Sequence, residues 1–161
     1  MLIGQWILGS GRRMLARGIH VVLRSDTHEI RKLADAIEYL ADSLQLPPPM
    51  VFKLNLALDE LITNTIAYGY AERKDGEIDI EMRRHDDRVV VRLIDQAAAF
   101  DPFEKSVADT TSALDDRPIG GLGIHFVRTL IDEVSYSRDD DRNVITLTLL
   151  FPPQPATAAD A

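Results

Sequence analysis

The stretch IDIEMRRHDDRVVVRLID, Ile78 to Asp95, decides the fold. Ile78, Ile80 and Met82 alternate with Asp79, Glu81 and Arg83, the period of a strand with one face on a core and the other toward water. Asp86-Asp87 makes a turn, and in the return strand Val89, Val91 and Leu93 alternate with Val90, Arg92 and Ile94. A hairpin with one apolar face needs a helical layer over that face. Upstream, Ile30, Leu33, Ala34, Ile37, Leu40, Ala41 and Leu44 recur at three and four and predict a helix over 27–44, opened by Asp26 with Glu29 in capping-box spacing and ended by Pro47-Pro48-Pro49. A second helix is predicted over 49–68, and Ile19 to Arg24 reads as a strand ahead of both. Downstream, residues 121–133 predict a third helix, and 134–138 with 143–151 a final hairpin. The order β-α-α-β-β-loop-α-β-β is an α+β fold, with three helices on one face of a mixed, mostly antiparallel sheet.

Composition agrees with one such domain. The chain has 161 residues, 45% of them hydrophobic, and no cysteine. A chain of this size buries roughly 68–70% of its unfolded surface and needs no disulfide or metal staple. The lack of cysteine excludes a disulfide scaffold, a zinc-cysteine site and a cysteine nucleophile, and it fits a cytoplasmic setting. Net charge is −8, and because Arg12, Arg13, Arg17 and Arg24 precede every acid, residues 25–161 carry 14 basic against 26 acidic groups. Such a body repels phosphate backbones, so direct nucleic-acid binding is not expected. The apolar start, Leu2 to Leu8, is interrupted by Gly4 and Gln5 and is too short for a signal peptide or a membrane span. Residues 1–18 read as a poorly ordered extension, 19–151 as the domain and 152–161 as a flexible tail.

Three constellations could carry chemistry. Glu60 and Asn64 stand four apart and so on one helix face; a Glu suits a general base and an Asn oxygen suits Mg²⁺, although a solvated face presents the same pair. Asp95, at a strand end, is an acceptor able to read an exocyclic amine such as that of adenine, or else caps the turn behind it. The run Ile119-Gly120-Gly121-Leu122-Gly123-Ile124 opens a helix, where free amides and the helix dipole suit phosphate, or is a plain turn. It matches neither the dinucleotide fingerprint nor the Walker A pattern. Between Gln96 and Gly120 lies a stretch long enough to be a lid.

In sequence order, DELITNTIAYGY, LIDQAAAFDP and GGLGIHFVRTLIDEVSY resemble the N-box and the two glycine boxes of the GHKL ATPase superfamily, most nearly its anti-sigma factor serine/threonine kinases. The resemblance spans about residues 19–151 and implies the Bergerat sandwich, binding ATP with Mg²⁺ beneath a lid at 103–118. It implies that Asn64 ligates Mg²⁺, Glu60 is the general base toward a protein hydroxyl and Asp95 holds the adenine amine. Ala97, Phe100, Gly120, Gly121, Leu122, Gly123, Ile124 and Thr146 would complete the nucleotide contacts. The implied partners are a sigma factor, a STAS-type antagonist phosphorylated on Ser or Thr, and a second copy docked through residues 19–44. One departure is Asp95-Gln96-Ala97 in place of Asp-x-Gly, where a Cβ would crowd the nucleotide or forbid a positive φ. It supports an alternative reading, a non-catalytic or nucleotide-free partner-binding switch.

Overall fold

The computed structural model describes residues 7–8, 12–15, 17–71, 75–104 and 121–153. In chain order these form β1 (Ile7–Leu8), β2 (Arg12–Leu15), β3 (Gly18–Arg24), a 3-10 turn (Thr27–Glu29), α1 (Ile30–Leu44), α2 (Pro48–Asn64), a π-helical turn (Thr65–Gly69), β4 (Glu77–Arg84), β5 (Arg88–Asp95), α3 (Gly121–Leu130), β6 (Glu133–Asp139) and β7 (Arg142–Leu150). One sheet runs β1-β2-β3-β4-β5-β7-β6. Every pairing in it is antiparallel, so the expected mixed sheet is an antiparallel one. The segment expected as an extension contributes β1 and β2, which among the described residues raise the strand count from the five expected to seven. As a result β3 is an interior strand, paired on both sides.

The alternation in β4 and β5 assigns the faces as read from sequence. Ile78, Ile80, Met82, Val89, Val91 and Leu93 are buried with Ile19, Val21 and Leu23 of β3 and Ile145, Leu147 and Leu149 of β7. Against them pack Leu33, Ala36 and Ile37 of α1, Leu54, Leu58, Leu61 and Ile62 of α2, and Ile124 and Val127 of α3. α2 lies between α1 and α3. The opposite sheet face carries polar pairs, with His20 Nε2 2.7 Å from Asp79 Oδ1 and Arg92 3.7 Å from Glu81.

Helix ends follow local chemistry. Asp26 caps the 3-10 turn by accepting from the His28 N–H at 2.9 Å, while Glu29 pairs with Lys32 and does not close a capping box. α1 ends where Gln45 adopts a left-handed conformation (φ 52°), and α2 starts with Pro48 and Pro49 in its first turn. α2 stops at Asn64 as a regular helix, and the π turn carries the chain on to Gly69.

Candidate functional site

The amino end of α3 meets the last two turns of α2. Asn64 Nδ2 donates to Glu60 Oε1 at 2.8 Å, so the pair one helical turn apart is joined. Asn64 is buried and Glu60 half-buried. With its nitrogen engaged, Asn64 keeps Oδ1 as a hard oxygen ligand, and Glu60 keeps Oε2 as a base. Gly123 stands over the same carboxylate: a Cβ built on it would lie 1.9 Å from Glu60 Cδ. Only glycine fits there. Gly121, Leu122 and Gly123 form the first turn of α3, whose amides have no intrahelical acceptors. Gly120 and lid residues 105–118 lie outside the described residues. Of the expected lid, Phe103 is buried, and Arg128 donates to its carbonyl oxygen.

Asp95 ends β5 at the floor of a cleft lined also by Leu61, Asn64, Thr65, Gly69, Ala97, Ala98, Phe100, Pro102, Asn143 and Ile145. The cleft thus brings together Asn64, Asp95, Ala97 and Phe100, which come from two separate sequence motifs. Asp95 Oδ1 accepts from the Ala97 N–H at 2.9 Å and from Asn143 Nδ2 at 2.8 Å. Among the described residues Oδ2 receives no donor and remains an acceptor for a ligand. Burial pushes the Asp95 carboxyl above the ordinary carboxylate value, and the bonds from Asn143 and Ala97 with the nearby charge of Arg138 pull partly against it.

Ala97 is buried, and among the described residues the only non-glycine ones with positive φ are Gln45 and Asp140. Its backbone therefore carries no left-handed strain. A Cβ on Gly69 would stand 2.8 Å from the Ala97 Cβ, so the glycine ending the π turn is what makes room for that methyl. Phe100, 40% exposed, lies 6.1 Å ring to ring from Tyr68 at the cleft mouth. Ile124 is part of the core and does not line the cleft. Thr146 is on the other side of the sheet: Ile145 lines the cleft, and Thr146, the next residue along β7, sits in register with Arg92 and Ser135 on the opposite face.

Sequence reading missed Asn143. Its only signal is positional, since antiparallel pairing of β5 with β7 sets it opposite Asp95. Among the described residues no group of three or more His, Cys, Asp or Glu could hold a metal ion. A cation at Asn64 would therefore draw its other oxygens from phosphate and water, which is how Mg²⁺ is commonly held. No helix among the described residues is long and apolar enough to cross a membrane.

A helical layer on one antiparallel sheet, with a carboxylate–amide pair against a glycine-tight helix start and the amide sharing a cleft with a buried Asp, defines an ATPase-type α+β sandwich. Residues 23–149 match the histidine kinase-like ATPase domain family, and the chain belongs to it. It is 30% identical over 97 residues to the serine/threonine-protein kinase BtrW of Bordetella bronchiseptica, covering 60% of this chain and 68% of that one. It is 31% identical over 96 residues to the serine-protein kinase RsbW of Listeria monocytogenes, covering 57% and 61%, so it spans under two thirds of that relative. The anti-sigma F factor of Clostridium beijerinckii is 27% identical over 131 residues, covering 79% and 89%. The crystal structure of the RsbU and RsbW domains of a Mycobacterium tuberculosis protein shares the fold, with a TM-score of 0.61, 17% identity, and coverage of 88% of this chain and 35% of that one.

Proposed function

We propose that the protein is an ATP- and Mg²⁺-dependent serine/threonine protein kinase that acts as an anti-sigma regulatory factor in a partner-switching system. In this reading it sequesters a sigma factor, phosphorylates a STAS-domain antagonist and works in the cytoplasm as a homodimer. The observation that carries it is the convergence of Glu60, Asn64 and Gly123, drawn from two motifs about sixty residues apart, into one contact. The names of the relatives from Bordetella, Listeria and Clostridium support the kinase and sigma-factor parts.

Asp95 Oδ2 would accept the adenine amine, and the amides of Gly121, Leu122 and Gly123 would bind phosphate oxygens. Asn64 Oδ1 would hold Mg²⁺, which when bound supplies charge neutralisation on the phosphates. Glu60, with Oε1 fixed by Asn64, would take the proton of the acceptor Ser or Thr hydroxyl as its oxygen bonds to the γ-phosphorus. The bond from that phosphorus to the bridging oxygen breaks, and ADP leaves. Phosphoryl transfer rests mainly on positioning and electrostatics, so this set of groups suffices.

The test is transfer of label from γ-³²P-ATP to a purified STAS-domain protein encoded in the same genome. Glu60→Ala is expected to abolish transfer while ATP still binds, and Asn64→Ala to weaken Mg-ATP binding itself. Transfer that survives in Glu60→Ala would remove the general-base assignment.

A further inference from the structure

Asn143 has every hydrogen-bonding position in use. Its Nδ2 donates to Asp95 Oδ1 at 2.8 Å and to the Ala98 carbonyl at 3.1 Å. Its Oδ1 accepts from the Tyr136 hydroxyl at 2.8 Å and from Arg138 Nη1 at 2.7 Å. The same guanidinium nitrogen donates to the Ala97 carbonyl at 3.0 Å. An amide offers two donors and two lone pairs, so this one is satisfied and locked in a single orientation.

The consequence falls on Asp95 and the turn that follows it. Register alone sets Asn143 opposite Asp95, but the bonds to the Ala97 and Ala98 carbonyls tie the turn to the β6–β7 hairpin as well. From the other side the buried Tyr70 accepts from the Gln96 N–H at 3.1 Å. The carboxylate thus cannot rotate without breaking its bonds to the Ala97 N–H and to the locked Asn143 amide. With Oδ1 held by Asn143 and the Ala97 N–H, Oδ2 is the oxygen left for a ligand. A fixed carboxylate oxygen is complementary to the amine of adenine and repels the carbonyl oxygen that guanine carries at the same place.

We propose that Asn143, oriented by Tyr136 and Arg138, is the positioning residue that presents Asp95 to the base and so sets the preference of the cleft for adenine over guanine nucleotides. This rests on the nucleotide-binding reading above. Arg138 and Asn143 lie outside the motifs that carry that reading and Tyr136 is only the last residue of the third, so the two are separately testable.

The experiment is calorimetric titration of the full chain with Mg-ATP and with Mg-GTP, for wild type, Asn143→Ala, Tyr136→Phe and Arg138→Met. Asn143→Ala is expected to lose affinity for ATP by about tenfold or more, the size of a lost bond to a charged group, and to narrow the ATP:GTP ratio. Arg138 is exposed, so Arg138→Met keeps the fold, and with Tyr136→Phe it decides the matter should Asn143→Ala not fold. Both are expected to move the ratio in the same direction by several-fold, and in the transfer assay to raise KM for ATP with kcat unchanged at saturation. A merely structural role would lower the melting temperature and leave the ratio alone. ATP binding with an unchanged ratio in all variants that fold would overturn the positioning role and leave the kinase reading intact. Failure of wild type to bind Mg-ATP would overturn both.

Discussion

Gly123 is the residue where sequence and site meet most tightly. Gly123→Ala must displace the Glu60 carboxylate, because its Cβ would fall 1.9 Å from Glu60 Cδ. We expect a cost of roughly 1–3 kcal/mol in urea unfolding, the usual range for overpacking, together with loss of phosphoryl transfer. Asp95→Asn separates stability from recognition. The asparagine oxygen can still accept from the Ala97 N–H and Asn143, so both structural bonds survive. Burial raises the folded pKa of Asp95, so its contribution to stability is full below the unfolded value of 3.8 and is lost as pH rises through the folded value. At neutral pH the Asn variant should accordingly be at least as stable as wild type, and the difference should close on acidification. Its NH₂ would confront the adenine amine donor to donor, so ATP affinity should collapse. Wild-type affinity should fall as pH drops through the raised value, because the ionised carboxylate is the acceptor. Thermal melts and titrations across pH check both signs. At Ala97 the tertiary structure answers the backbone half of the sequence expectation: its φ is not positive, and Gly69 in another element leaves room for its methyl.

Among the elements, α1 and α2 were legible because three-and-four periodicity is a local property and one core-facing stripe satisfies it. β4 and β5 were legible for the equivalent reason at period two. β1 and β2 were not, since pairing of short strands runs through backbone N–H and C=O groups, and Arg12-Arg13-Met14-Leu15 shows no alternation to betray it. The π turn was also unreadable: 65–69 continues an apolar helical pattern, and only the bond from the Tyr70 N–H to the Thr65 carbonyl, five residues back, distinguishes it. At this scale the end of α1 is testable. Gln45 takes φ 52°, a region that costs a side-chain-bearing residue about 1–2 kcal/mol, against which glycine loses extra entropy on folding. Gln45→Gly should therefore raise stability by about 0.5 kcal/mol in denaturant titration, with kinase activity untouched. Leu58→Ala, in the wholly buried stripe of α2, should cost about 2–5 kcal/mol by the same measurement.

For the molecule as a whole, the cleft joins α2, the β5 end and the β7 start, with α3 and Gly123 beside Glu60, so a ligand there should stabilise the entire fold. Mg-ATP at about 100 times its Kd adds roughly 2.7 kcal/mol, which in a domain this size should lift the melting temperature by several degrees. Glu60→Ala should keep that rise and Asn64→Ala should shrink it; an unmoved wild-type melt at millimolar Mg-ATP would count against the nucleotide site. The sequence by itself determined the two periodicities, the one-sided sheet, and the order in which an amide–carboxylate pair, a terminal Asp and a glycine-rich helix start occur. All of these are written in spacings of a few residues. Which strand face looks into the cleft was decided only in three dimensions. Along β7 a shift of one residue exchanges the two sides, and the register with β5 puts Asn143 and Ile145 at the site and turns Thr146 away. The Asn143 lock, the Gly69–Ala97 fit and the Gly123–Glu60 contact likewise join residues far apart in the chain. They exist because burying one apolar face against another leaves a single way for those distant backbones to lie together.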